Sequence, residues 1–261
     1  MPSSGPTATA PQRERRGYAL CTAPRSGSNW VCELLASTSA LGYPLEYFNT
    51  LGRRTFTDPA YPSDPAAQAR YILAHSTSPN GVYGVKLFPW QHDAVAAQIR
   101  WTGALPNLRF VHLTRRDLLG QALSALRAQQ TQQWRWNVTA HGAARYDGAA
   151  IAVCLQMIVR EYARWELYFA RNGVQPLRLV YEDVAASPQS AADCVADLLQ
   201  LGHRPVIDPG RVTLKPQGDA VTEQWRARFH AEFGDLDRID ALRPDASPED
   251  IVPAEPARII P

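Results

Sequence analysis

Short apolar runs alternate along this chain with segments of helical period, and that alternation constrains its fold more than any other feature. Residues 17–22 (GYALCT), 81–88 (GVYGVKLF), 109–113 (RFVHL) and 177–180 (LRLV) read as short buried strands. Helices are predicted over residues 28–39, 91–101, 117 to about 131, 147–172 and 187–201. Asn172-Gly173 supplies a stop for the long fourth helix, and Pro188 suits the first turn of the fifth. Strands written as near-continuous apolar runs must be covered on both faces. The pattern therefore implies an α/β fold, with a central parallel sheet flanked by helices.

Composition removes several function classes. The 261 residues are 45% hydrophobic and 20% charged, enough to bury a core, so disorder throughout is excluded. A net charge of +2 argues against a nucleic-acid domain or a polybasic membrane-surface protein. The longest apolar stretch, 149–159, contains Gln156 and is followed by Arg160, short of the ~18–20 apolar residues of a membrane span. Glu14 and the lack of an apolar N-terminal core lead us to expect no signal peptide. The four cysteines show no CxxC spacing and the histidines no HxH or HxxxH pair. The expectation is a cytoplasmic protein with reduced thiols and no dedicated metal site. Residues 1–16 and 244–261 are Pro-rich and read as tails around one domain, 17–243. The second tail ends in Ile259 and Ile260, a candidate arm for packing on a second copy of the chain. Residues 50–80 and 132–146 read as long irregular segments, either binding surface or variable insertion.

Two segments point to anion chemistry. The first strand runs directly into Pro24-Arg-Ser-Gly-Ser-Asn-Trp30, which opens a helix. A helix N-terminus presents free N–H groups to an anion; Gly27 permits close backbone approach, Ser26, Ser28 and Asn29 add polar side chains, and Arg25 adds charge. No Lys follows Gly27, which disfavours a nucleoside-triphosphate P-loop and hence a small-molecule kinase. The other reading is an ordinary Ser/Gly turn capping a helix. The second segment, Thr114-Arg-Arg-Asp-Leu-Leu-Gly-Gln-Ala-Leu-Ser124, follows the third strand. Arg115 and Arg116 stand at a strand's carboxyl end, where open α/β sheets bind ligands, and Ser124 lies about two turns into the next helix. Both arginines solvated, with Asp117 as a helix cap, is the alternative.

These stretches resemble the two nucleotide-binding elements of sulfotransferases that use 3′-phosphoadenosine 5′-phosphosulfate (PAPS). The segment Leu179-Val-Tyr-Glu-Asp-Val184 with Pro188 resembles the same superfamily's "YED…P" stretch. The bacterial trehalose sulfotransferase family and the rhizobial nodulation-factor sulfotransferase share more: Pro44-Leu-Glu-Tyr-Phe-Asn49, Gly81-Val-Tyr-Gly-Val-Lys-Leu87 and Arg127-Ala-Gln-Gln-Thr-Gln-Gln-Trp134. The resemblance spans about residues 18–229. It implies a P-loop-like three-layer fold and transfer of a sulfuryl group to a hydroxyl of a sugar or other small metabolite. Adenosine 3′,5′-bisphosphate (PAP) would be released, with no metal in the reaction. It further implies that Arg25, Ser26, Gly27, Ser28 and Asn29 hold the 5′-phosphosulfate. Arg115 or Arg116, with Ser124, would hold the 3′-phosphate, and Tyr181 would lie near the adenine. Lys215 and Gln217 fall where related enzymes close a basic loop. Glu46 matches the general base, with His92 and His112 as rivals: His92 reads as a helix cap and His112 as a satisfied core residue. Tyr47, Phe48, Trp90 and Trp134 (with Trp136) are candidates to stack on the acceptor, or core aromatics. A nucleotide-binding protein of this fold without transfer activity is the alternative function.

Only two of the 27 basic residues, Lys86 and Lys215, are lysines, and both fall in segments assigned to the donor. A compact ammonium and a planar guanidinium are not interchangeable in a crowded site. We therefore expect Lys86 and Arg25 to supply charge to the sulfuryl group.

Overall fold

The computed structural model describes residues 14–134, 139–214 and 220–240. Lys215, Gln217, Trp136 and most of both tail segments lie outside the described residues. Four parallel strands form the sheet: β1 (Arg16–Cys21), β2 (Val82–Leu87), β3 (Leu108–Thr114) and β4 (Leu177–Val180), in the order β2-β1-β3-β4. All four expected strands are present, with ends shifted by one residue at most.

The helices are α1 (Ser28–Ser37), α2 (Thr50–Phe56), α3 (Pro65–His75), α4 (Pro89–Ala96), α5 (Trp101–Ala104), α6 (Leu118–Thr131), α7 (Gly148–Arg171), α8 (Tyr181–Ala186), α9 (Pro188–Leu198) and α10 (Ala220–Phe233). Side chains alternate across β1. Tyr18 and Leu20 meet Val31, Leu34 and Leu35 of α1 and Val195 of α9. Ala19 and Cys21 share the opposite core with Ile72 of α3, Trp101 of α5, and Trp165 and Phe169 of α7. The sheet is thus the middle of three layers, as a parallel sheet buried on both faces requires. A third cluster joins α6, α7 and α10.

Several elements differ from the expectations. Residues 50–80 are not irregular: α2 and α3 occupy much of that stretch. Asn49 caps α2 by accepting from the Gly52 N–H at 2.9 Å; Asp64 caps α3 by accepting from Ala67 N–H at 2.7 Å, with Pro65 in the first turn. The single helix expected over 91–101 is two, α4 and α5, and α8 and α10 were not foreseen. Among the described residues, no helix is long and apolar enough to cross a membrane.

Candidate active site

The loop after β1, the end of β3 and the end of β2 meet at the carboxyl edge of the sheet. β1 leads to β2 on one side and pairs with β3 on the other, so the loop after β1 faces the crevice where the connection reverses direction, the usual ligand position in open α/β sheets. That loop is fixed from below. Trp165 Nε1 donates to Thr22 O at 3.0 Å, and the Thr22 hydroxyl bonds both Ser26 Oγ and Leu113 O at 2.8 Å. Gln121 Nε2 donates to Pro24 O at 2.6 Å. Arg25 is held at φ 61° and Gly27 at φ 81°. A Cβ on Gly27 would lie 2.2 Å from the Tyr181 ring, so glycine is required both for conformation and for space.

Gly27 is the N-cap of α1 and provides no side-chain hydrogen bond to the first turn. The loop is a Ser/Gly turn that starts α1, and because its cap residue is a glycine the first-turn N–H groups receive no side-chain cap. Cations surround it. Arg25 Nε donates to Ser124 Oγ at 3.0 Å and its Nη1 to Trp134 O at 3.0 Å, with no carboxylate on it among the described residues. Burial, then the Arg115 and Arg127 charges, lower the Arg25 pKa from its usual value. Arg115 Nη1 donates to Arg25 O at 3.3 Å, and its guanidinium lies 5.2 Å over the Tyr181 ring. Its nearest acids are loose, Asp117 at 3.5 Å and Glu182 at 3.8 Å. Arg115 Nε and Trp134 Nε1 are buried donors without an acceptor.

Arg116 turns away. It is 59% exposed and pairs with Asp183 at 2.5 Å. The two arginines separate because Glu182 accepts the backbone N–H groups of Arg116 at 3.0 Å and Asp117 at 3.2 Å. Asp117 caps α6 through Gly120 N–H at 2.8 Å, and Arg226 of α10 grips it with two 2.8 Å bonds. Tyr181 packs edge-on to Trp30 at 5.8 Å between ring centroids.

On the β2 side, Lys86 is only 2% exposed. Its Nζ lies 2.6 Å from Glu46 Oε1 and donates to Asn29 Oδ1 at 2.5 Å, joining the anion loop to the candidate base. Glu46 retains 24% side-chain exposure. Its Oε2 accepts from Asn49 Nδ2 at 3.0 Å and Gln91 Nε2 at 2.9 Å. Gln91 is fully buried, and its Oε1 accepts from Phe88 N–H at 3.0 Å. Burial alone would favour the protonated acid. The Lys86 charge and the bonds from Lys86, Asn49 and Gln91 outweigh it and hold the Glu46 carboxyl below its usual range.

The aromatic candidates divide. Tyr47 and Phe48 are core residues: Tyr47 donates its hydroxyl to Tyr43 O at 2.8 Å, and Phe48 packs edge-on to Trp101 at 6.1 Å. Trp90, half-buried on α4 at 6.2 Å from Phe88, and Trp134 beside Arg25 stay at the site. His92 is no cap. It lies within α4, packed among Trp101, Trp165 and Tyr168. His112 is buried under α7 against Tyr162 and Phe169. It is satisfied at most on one side: Nδ1 lies 3.0 Å from Glu166 Oε1, and among the described residues Nε2 has no partner.

Burial pushes the His112 pKa down to about 4, against the opposing pull of Glu166. Its folded pKa is below the unfolded one, so the penalty is absent above pH 6.5 and grows as pH falls toward 4. At pH 5 the loss is expected to be roughly 2 kcal/mol relative to pH 7.5. Denaturant melts of wild type and His112→Gln across that range check it: the variant's stability is expected to fall less on acidification.

Asn49, Gln91, Glu182 and Arg127 were not singled out from sequence. Asn49, Arg127 and Glu182 lie inside quoted motifs, whereas nothing local marks Gln91, whose role is tertiary.

The description "Stf0 sulphotransferase" belongs to the family profile that matches residues 17–232. A trehalose 2-sulfotransferase of Mycobacterium tuberculosis is 28% identical over 84% of this chain and 96% of its own length. One of Mycolicibacterium smegmatis is 27% identical over 82% of this chain and 94% of its own. The solved sulfotransferase domain of the Synechococcus PCC 7002 olefin synthase aligns over 92% of this chain and 96% of its own. Its identity is 14% and its TM-score 0.42, a level that decides nothing about the site. With the family match covering nearly the whole described domain, the chain belongs to the Stf0 sulphotransferase family and is a sulfotransferase.

Proposed function

We propose that the sulfuryl donor is PAPS and that the acceptor is a hydroxyl of a small carbohydrate. The observation that carries the donor is a surplus of donors over acceptors at the sheet edge. Among the described residues Arg25 has no carboxylate, Arg115 Nε and Trp134 Nε1 are buried without a hydrogen-bond acceptor, and the α1 N-terminus has no side-chain cap. A bisphosphorylated, sulfated nucleotide fits that balance. Arg25, Ser26, Gly27, Ser28 and Asn29 are assigned its phosphosulfate end. Arg115 and Ser124 take its 3′-phosphate, since Arg116 is engaged by Asp183, and Tyr181 flanks the base. Lys215 and Gln217 keep their expected role over the 3′-phosphate. The trehalose in the two relatives' names supports a sugar acceptor.

Bound PAPS supplies a sulfuryl group whose bond to the 5′-phosphate breaks as a new S–O bond to the acceptor forms. The chain's task is alignment and charge. Glu46 takes the acceptor's hydroxyl proton. Two amides already occupy Oε2, so the remaining lone pair of Oε1, beside the Lys86 ammonium, receives it. Lys86, within reach of both Glu46 and the loop, and Arg25 offset negative charge developing on the departing phosphate. Trp90 and Trp134 flank the acceptor.

Incubation with PAPS and a panel of sugars, read by mass spectrometry, tests this: one acceptor gains a sulfuryl group as PAP appears. No sulfated product from any sugar contradicts the reading. For Arg25→Ala, loss of charged hydrogen bonds is expected to weaken PAP binding by about 1.5–3 kcal/mol, or about 10- to 150-fold, by calorimetry. Unchanged affinity would remove Arg25 from the donor site.

A further inference from the structure

Beside the proposed base lies a buried cation with no counter-ion. Arg53 of α2 is 8% exposed, and its Cζ lies 5.3 Å from the ring centroids of both Tyr47 and Tyr61. Among the described residues no carboxylate pairs with its guanidinium and no oxygen accepts from it; its Nε is buried and unpartnered. Neighbouring Arg54, by contrast, is exposed and donates to Tyr61 O at 2.7 Å. Attraction to two tyrosine faces recovers only part of the cost of taking a guanidinium out of water, and it leaves the planar fork of N–H donors unmatched.

The position ties this charge to the acceptor side of the site. Arg53 N–H donates to Asn49 O at 2.9 Å, closing the first turn of α2. The Asn49 amide in turn donates to Glu46 Oε2 at 3.0 Å. Tyr47, the next residue after Glu46, supplies one of the two rings on the guanidinium. The donor-site cations Arg25 and Arg115 belong to other loops, those after β1 and β3. Arg53 is therefore a separate positive centre, linked through Asn49 to the segment that carries the base.

We propose that Arg53 binds an anionic group, a carboxylate or a phosphate, carried by the acceptor, so that the preferred substrate is a charged sugar and not a neutral one. A planar guanidinium matches either group through paired N–H···O bonds, and a low-dielectric slot between two aromatic rings strengthens them. The inference rests on the acceptor reading of Glu46, which sets where the reacting hydroxyl lies.

Calorimetric titration of the PAP-saturated protein with glucuronate, glucose 6-phosphate and glucose tests it. At least one of the anionic sugars is expected to bind about tenfold or more tightly than glucose, and which one does so tells carboxylate from phosphate. Arg53→Met fills the slot without charge and is expected to lose that preference, while PAP affinity stays within about twofold. Arg53→Gln is the second variant should the first fail to fold. Glucose binding as tightly as both anionic sugars, or a preference that survives loss of the guanidinium, overturns the proposal. Absence of PAP binding contradicts the donor reading instead, and the same sugar titrations on the free protein then read Arg53 alone.

Discussion

Glu46→Gln is expected to lower kcat by about 10²- to 10⁴-fold, the usual worth of a positioned general base, while PAP affinity stays nearly constant. The geometry accounts for both halves. Glu46 touches no part of the loop formed by residues 24–29 directly; its link to that loop runs through Lys86, which keeps its bond to Asn29 in the variant. The chemistry, however, loses its proton acceptor. A glutamine oxygen turned toward Asn49 and Gln91 leaves its amide facing the Lys86 ammonium. Stability is therefore also expected to fall, because a buried lysine loses its counter-ion. A thermal melt alongside the kinetics separates the two effects. In wild type the depressed pKa keeps Glu46 ionised at neutral pH, so no acid limb is expected in kcat/KM until pH falls below the usual glutamate range. The folding stability from its ion pair is present above the unfolded-state pKa and is lost as pH falls through the lower folded value. Turnover unchanged in Glu46→Gln would move the base elsewhere.

The second large effect is expected at Lys86. Lys86→Arg conserves charge yet is expected to cut kcat by about 10²- to 10³-fold, close to the loss for Lys86→Met. Lys86 projects from β2 on the side facing α1, where Asn29, Glu46 and the Phe88 ring, 5.2 Å away, enclose it. A compact ammonium bridges two oxygens there. The larger planar fork must displace Asn29 or Glu46, and either shift spoils alignment. The kcat and KM of both variants measure it; wild-type turnover in Lys86→Arg would mean that charge alone matters. The scarcity of lysine thus acquires a physical reason at one of its two positions.

The parts legible in sequence share one property: their information is contiguous. β1 to β4 each occupy a single apolar run, and residues 24–30 are a strand end, turn and helix start in one stretch. Lys86 stood out as one of only two lysines, set in the contiguous run 81–88. What sequence missed is tertiary. The carboxyl-edge position of α8 depends on where β4 ends, and Glu182 acts on backbone N–H groups and a guanidinium that follow β3. Gln91 holds Glu46 across 45 residues. For Tyr47 and Phe48 the sequence left stacking on the acceptor and core packing both open, and the structure packs both side chains into the core while Glu46 keeps a path to solvent. Asn49 and Asp64-Pro65 were local helix signals, overlooked within a segment read whole as a loop.

Titration of the wild-type protein with PAP by calorimetry tests the central claim most directly, because it asks whether the uncompensated charge of Arg25, the buried Nε of Arg115 and the α1 N-terminus form a nucleotide bisphosphate site. The expected result is saturable binding of one PAP per chain, weakened by Arg115→Ala far more than by Arg116→Ala. No binding of PAP, or equal losses from the two arginine variants, would contradict the account.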